Sequence, residues 1–164
     1  MDKIAVHDVP RRTIYLITFF IGIFAGVANI FLDVDLTFGP GLMGWLAAAI
    51  IVVIFAHEGI HGAVAAVFGY KPVFGIKPPF VYVTFTEKIP RGKFIVMALA
   101  PLVILDIIFA ILYISGTLKL FADLCFIINT LGASGDVWVA IKLIPHPKGL
   151  LVQDTKTGVE IWQP

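Results

Sequence analysis

Four long, almost uncharged apolar runs, separated by short polar connections, set the pattern of this chain. The first extends from Thr13 to Leu32, preceded by Arg11 and Arg12 and followed by Asp33 and Asp35. The second, Gly41 to Gly69, is apolar or small except at His57, Glu58 and His61. The third, Phe94 to Ile114, carries Asp106 and a Pro101 that invites a kink. The fourth, Leu120 to Ile144, holds Asp123, Asn129 and Asp136, and weakens as a helix at Gly132-Ala133-Ser134-Gly135. Each approaches or exceeds the roughly 20 residues needed to cross a bilayer core. The pattern predicts transmembrane helices at about 13–32, 41–69, 94–114 and 120–144. A cleaved leader is the rival reading of the first run, since Gly26 and Ala28 would suit a cut, but the run continues past them.

Two stretches switch to the strand period. Between the second and third runs, Lys71 to Ile76 and Phe80 to Thr86 are rich in β-branched and aromatic residues and flank Lys77-Pro78-Pro79, which predicts a hairpin. It is apolar for a connecting loop, so it is expected to dip into or lie against the membrane region, where its backbone edges need protein or a wet cavity beside them. Near the end, Leu150 to Gln153 and Val159 to Trp162 flank Asp154-Thr155-Lys156-Thr157-Gly158, a second, soluble hairpin in a tail covering 145–164. The expected fold is an all-α polytopic membrane protein. It forms one domain over 1–164, with a hairpin between helices two and three and a short C-terminal one.

Composition agrees with that picture. The chain is 59% hydrophobic and 14% charged with a mean hydropathy of +0.98, far from an ordinary soluble domain. Its net charge is +1 with no basic run, which argues against nucleic acid as a partner. One cysteine, Cys125, leaves no disulfide within the chain. The placement of charge is more telling than its sum. Lys3, Arg11 and Arg12 precede the first run; Lys71, Lys77, Lys88, Arg91 and Lys93 lie between the second and third; Lys142, Lys148 and Lys156 follow the fourth. Of all Lys and Arg, only Lys119 falls on the other side, so both termini are expected to be cytoplasmic, in the plasma membrane of a prokaryote.

Chemistry concentrates on the second run. His57-Glu58-Gly59-Ile60-His61 places two imidazoles one helical turn apart on one face, a pair that suits Zn²⁺, with a carboxylate beside them to take a proton from water. Ionisable groups in an apolar span cost several kcal/mol unless paired or bound, so three together mark a functional site rather than packing alone. A tetrahedral site needs a third protein ligand. Asp136 is the candidate by depth, because both His61 and Asp136 lie about eight residues, ~12 Å, from the same end of their helices. Asp106, nearer ~20 Å, is the poorer candidate and suits an interhelical hydrogen bond. Asn129, two turns before Asp136, can aim its amide at a substrate carbonyl or oxyanion, or bond between helices. Gly132 and Gly135 fit either a loosened helix or close packing, and His7 and His146, outside the runs, read as solvated.

These residues resemble the site-2 protease family of intramembrane metalloproteases, and more closely its compact zincin peptidase relatives. In the larger family, the H-E-x-x-H helix is paired with an Asn-x-x-Pro motif ending in Asp-Gly, whose Asp is the third zinc ligand. Here the region reads Asn129-Thr130-Leu131-Gly132-Ala133-Ser134-Gly135-Asp136-Val137, with Gly132 for the Pro, Val137 for the Gly and one residue fewer between Asn and Asp. The resemblance implies Zn²⁺ on His57, His61 and Asp136, Glu58 as catalytic residue, Asn129 at the substrate, and substrates that are membrane-embedded segments opened near the metal. It also implies a β-rich segment after the H-E-x-x-H helix, whose edge would hold the opened segment by strand addition. The alternative is a non-catalytic zinc-binding membrane adaptor or scaffold protein, which would have no need of Glu58.

Overall fold

A computed structural model describes residues 1–31, 40–77, 80–155 and 157–164. Leu32, Asp33 and Asp35 at the end of the first apolar run, the Pro78-Pro79 tip and Lys156 lie outside the described residues. The chain begins with β1 (Asp2–Asp8), α1 (Arg11–Phe31) and α2 (Pro40–Val67). The hairpin β2 (Pro72–Lys77) and β3 (Phe80–Phe85) and the short β4 (Ile89–Pro90) follow. Then come α3 (Arg91–Ile114), α4 (Lys119–Gly132), α5 (Ser134–Leu143), β5 (Leu151–Asp154) and β6 (Gly158–Gln163).

The all-α expectation is therefore wrong: the fold is mixed, with five helices and two antiparallel sheets among the described residues. Both expected hairpins are present, but the C-terminal one is widened to four strands in the order β1-β6-β5-β4. β1 pairs along β6 from Asp2↔Gln163 to Asp8↔Gly158, so the first and last residues of the chain share a sheet. Asp2-Lys3-Ile4-Ala5-Val6-His7-Asp8 alternates in the strand period, with Ala5 and His7 half-buried between exposed neighbours. Such a strand gains its stability from β6, far away in sequence, and so is faint when read locally.

Among the described residues, two helices are long and apolar enough to cross a membrane, Gly41–Val67 and Arg91–Ile114. The fourth apolar run is two helices, α4 and α5, bent by 41° at Ala133, and counts as a third span only if the pair is taken together. The break falls on the predicted weak stretch, where glycines at 132 and 135 lower the cost of leaving the helix. By contrast α3 continues through Pro101. α2 stops in a Schellman turn: Gly69 takes φ +84°, Tyr70 N–H donates to Ala65 O at 2.9 Å and Gly69 N–H to Ala66 O at 3.0 Å.

Two apolar clusters bracket the middle of the molecule. Ala49 and Val53 of α2 pack with Leu105 and Phe109 of α3 and Cys125 of α4. At the other end, Ala65, Met97 and Leu143 pack against Ile89, Val152 and Ile161 of the terminal sheet. Arg91 ties the two layers by donating to the carbonyls of Leu143 and Ile144 at 3.0 and 2.9 Å, capping the end of α5.

β1 is docked by a histidine pair, His7 Nε2 to His146 Nε2 at 3.1 Å, in which one neutral ring donates and the other accepts. The two are partners, not the separately solvated residues expected. Burial, with His146 and Lys142 adding to it, holds the His7 imidazole below its ordinary value. The unfolded segment takes up a proton near the ordinary pH of about 6.5, the docked one only at lower pH, so docking is stable above that range and weakens as pH falls through it. Amide exchange over residues 2–8, corrected for intrinsic rates, is expected to be slower at about pH 7.5 than at about pH 5.5. The same acid loosening in a His7→Gln variant would remove the histidine as its cause.

Candidate metal centre

His57 and His61 sit one turn apart on α2, their rings 4.9 Å apart between centroids and edge to face. Asp136 enters from the first turn of α5. His57 Nε2 lies 3.1 Å from Asp136 Oδ2 and His61 Nε2 lies 3.5 Å from Asp136 Oδ1. One ligand atom from each of the three residues falls within 4.8 Å of the others, and among the described residues this is the group that could hold a metal ion.

The protonation of both rings can be read from what their other nitrogens touch. His61 Nδ1 is 2.8 Å from the carbonyl oxygen of Met97, which can only accept, so Nδ1 carries the proton. His57 Nδ1 is 2.9 Å from Asn129 Oδ1. The amide is oriented by its other end, since Asn129 Nδ2 donates to Asp106 Oδ1 at 2.8 Å and to Pro101 O at 3.3 Å, leaving Oδ1 as acceptor for His57. When both rings are neutral, fixing them this way turns two Nε2 lone pairs onto a carboxylate. Three acceptors facing each other repel unless a cation sits between them. Tetrahedral Zn²⁺ with bonds of about 2.0–2.2 Å sets its ligand atoms on the order of 3.3 Å apart, close to the two histidine–aspartate distances of 3.1 and 3.5 Å.

The structure thus brings His57, His61 and Asp136 together and leaves Asp106 out. Asp106 instead accepts from Asn129 and, through Oδ2, from the Thr130 hydroxyl at 2.9 Å. Asn129 is fully buried against His57 and does not line either cavity beside the cluster. It holds the ligand ring in its tautomer, as outer partners of metal-binding histidines do.

Glu58 Oε2 accepts the backbone N–H of Val83 on β3 at 2.8 Å, and Glu58 lines both cavities, of about 360 and 440 Å³, together with His61 and Asp136. The hairpin approaches α2 closely because Gly62 has no side chain: a Cβ there would collide with the Phe74 ring. Sequence reasoning missed Asp154. It lines the first cavity, its Oδ2 accepts the Thr84 hydroxyl at 2.6 Å, and burial raises its carboxyl above the ordinary range despite the hydrogen bonds it receives. An aspartate opening a turn carries no motif that marks it.

Comparison with known proteins places this geometry. The profile of a family described as "Putative zincin peptidase" matches residues 50–151, more than half of the chain. The chain belongs to that family. Zincin peptidases are zinc metallopeptidases, so the family implies zinc for a cluster whose donors already suit it. The matched region contains His57, Glu58, His61, Asn129 and Asp136, and ends before Asp154. The chain is also similar to an "Uncharacterized 24.7 kDa protein in gap 5'region" of Pyrococcus woesei, at 29% identity over 121 residues. That alignment covers 71% of this chain and 54% of the relative, so the chain spans about half the length of the curated relative it matches. No solved structure matches at a significant level.

The Asn129 support makes a measurable prediction. Asn129→Ala is expected to weaken zinc binding about 10- to 100-fold in competition with a chromophoric chelator, with helix content unchanged by circular dichroism. Wild-type affinity in the folded variant would show that orientation of His57 does not matter.

Proposed function

We propose that this protein is a multi-pass intramembrane zinc metalloprotease of the site-2 protease type, hydrolysing peptide bonds in membrane-embedded segments. The observation that carries the reading is the convergence of His57, His61 and Asp136 with Glu58 on the same cavities. Those three residues would hold Zn²⁺, and Glu58 would be the general base. The chemistry a bound zinc supplies is polarisation of the scissile carbonyl and acidification of water. Glu58 accepts the proton of the attacking water and returns it to the leaving nitrogen. Its Oε2 is fixed by Val83 N–H, which leaves Oε1 as the oxygen for the proton. A role limited to zinc binding gives no reason for a carboxylate held there.

A membrane setting is supported by the outer faces of the helices. Ile50, Ile51, Val52 and Phe55 on α2 and Val103, Ile104, Ile107, Ile108 and Ile111 on α3 are exposed, an apolar surface that suits lipid rather than water. Pairing of β1 with β6 brings both ends of the chain to one side, which requires an even number of crossings between them. With the distribution of Lys and Arg, that side is the cytoplasmic one. Water then reaches the cluster through the cavity between the helices and the terminal sheet, lined by Asp136, Asp154 and Thr157. The substrate must be extended to be cut, since a helical peptide bond is shielded by its own hydrogen bonds. The Val81 end of β3, which lines the second cavity beside His57, offers it a strand edge.

The test uses purified protein in detergent and a fluorophore-labelled Leu/Ala transmembrane peptide of about 20 residues with a central helix-weakening Asn-Gly. Glu58→Gln is expected to retain zinc and lose about 10²- to 10⁴-fold in cleavage rate. Asp136→Ala is expected to lose stoichiometric zinc, and cleavage with it. Cleavage that survives Glu58→Gln would sink the mechanism.

A further inference from the structure

β3 turns one edge to β2 and the other toward α2, and this outer edge is held by two carboxylates from distant parts of the chain. Glu58 Oε2 takes the N–H of Val83. Two residues on, the next N–H of the same edge, Phe85, faces the carboxylate of Asp154, which accepts the Thr84 hydroxyl at 2.6 Å. Asp154 is the last residue of β5, so its carboxylate reaches the metal-side cavity from the terminal sheet. Its own footing is braced. The Thr157 hydroxyl donates to Asp8 at 2.6 Å, and Val9 N–H donates to Thr157 O at 2.8 Å, tying the turn beside Asp154 to the end of β1.

We propose that Asp154 is a positioning residue of this site: it clamps β3 to the terminal sheet through Thr84 and Phe85 and so sets Val83 N–H against the carboxylate of Glu58. The inference rests on Glu58 being the general base proposed above. A two-stranded hairpin is marginal by itself, and β2–β3 exposes Val73, Phe74 and Ile76. It needs an outside tie to hold one backbone N–H to hydrogen-bond accuracy. Hydrogen bonds to a carboxylate are roughly twice as strong as neutral ones, and Asp154 takes one from Thr84 while facing the backbone of Phe85, the next residue of β3. The family match ends at residue 151, so Asp154 lies outside the matched region while Thr84 and Phe85 lie within it. It also divides the edge. Positions 83 and 85 are taken by the protein's own carboxylates, and the Val81 end stays open to an extended segment.

The experiment is amide exchange by mass spectrometry over residues 80–86 of the zinc-loaded full chain in detergent, for wild type, Asp154→Ala, Asp154→Asn and Thr84→Val. Asp154→Ala is expected to exchange about 10- to 100-fold faster there, with α2 and zinc content unchanged. Asp154→Asn, which keeps one acceptor oxygen, falls between it and wild type, and Thr84→Val loosens the segment by a few-fold. With the labelled transmembrane peptide, Asp154→Ala lowers kcat about tenfold or more and leaves KM within about twofold, because the clamp acts on Glu58. Wild-type exchange in Asp154→Ala overturns the clamp; faster exchange with full kcat overturns the positioning role. Exchange is read without turnover. A wild type that cleaves nothing therefore counts against the protease reading alone, while residues 80–86 still decide the clamp. If Asp154→Ala does not fold, unchanged exchange in Asp154→Asn and Thr84→Val overturns it.

Discussion

Two imidazoles and a carboxylate converge on one another inside a largely apolar body, and the rest of the structure is arranged to hold them there. Left alone, the rings would rotate or take the other tautomer. Met97 O and Asn129 Oδ1 prevent this by each accepting the Nδ1 proton, and Asn129 is in turn held by Asp106 and Pro101 O. Every link is a buried or half-buried hydrogen bond between different helices, so α2, α3 and α4 cannot slide without breaking one. The same bonds that fix packing also define a site with room for a cation. Packing and chemistry are a single constraint here, which is why the polar residues of three apolar helices meet at one depth.

Strand edges are the second constraint. A two-stranded and a four-stranded sheet leave unpaired backbone groups that invite further strands. In β2–β3 the outer edge is met by Glu58 and Asp154 instead, so the protein's own acids occupy it up to the cavity. The terminal sheet draws both ends of the chain together and packs Val152 and Ile161 onto the ends of α2, α3 and α5. The cluster therefore lies between an apolar helical body and the terminal sheet.

What could be read in the sequence follows the range over which each signal acts. His57, Glu58 and His61 were legible because a helical turn fixes their geometry within five residues. Asp136 was reachable by counting residues from helix ends, since regular rise converts sequence into depth. Asn129 was found with two tasks left open, a substrate contact or a bond between helices, because whether an amide faces a cavity or a neighbouring ring depends on Asp106 and Pro101, more than 20 residues away. The mixed fold was missed for the same reason. Hydropathy announces helices one at a time, whereas β1 is a strand only by virtue of β6, at the opposite end of the chain. Asp154 was beyond reach, since Thr84 and Phe85 give it meaning from another sheet.

The broken helix joins these threads. Asn129 and Asp136 are seven residues apart, so a straight helix would set their Cα atoms about 10.5 Å apart along its axis, both side chains leaving the same face. Yet they grip the two nitrogens of one imidazole, Asn129 at Nδ1 and Asp136 at Nε2 of His57. A bend of 41° at Ala133 turns the Asp136 end relative to the Asn129 end, so the two side chains converge on the ring from either side. Gly132, Ser134 and Gly135 make that bend cheap, and Ser134 holds it with a hydroxyl bond to Leu131 O at 2.6 Å. A continuous helix of better formers would serve a membrane span more stably. It would also leave His57 held by one residue or the other, and the cluster would lose either its third acceptor or its fixed tautomer.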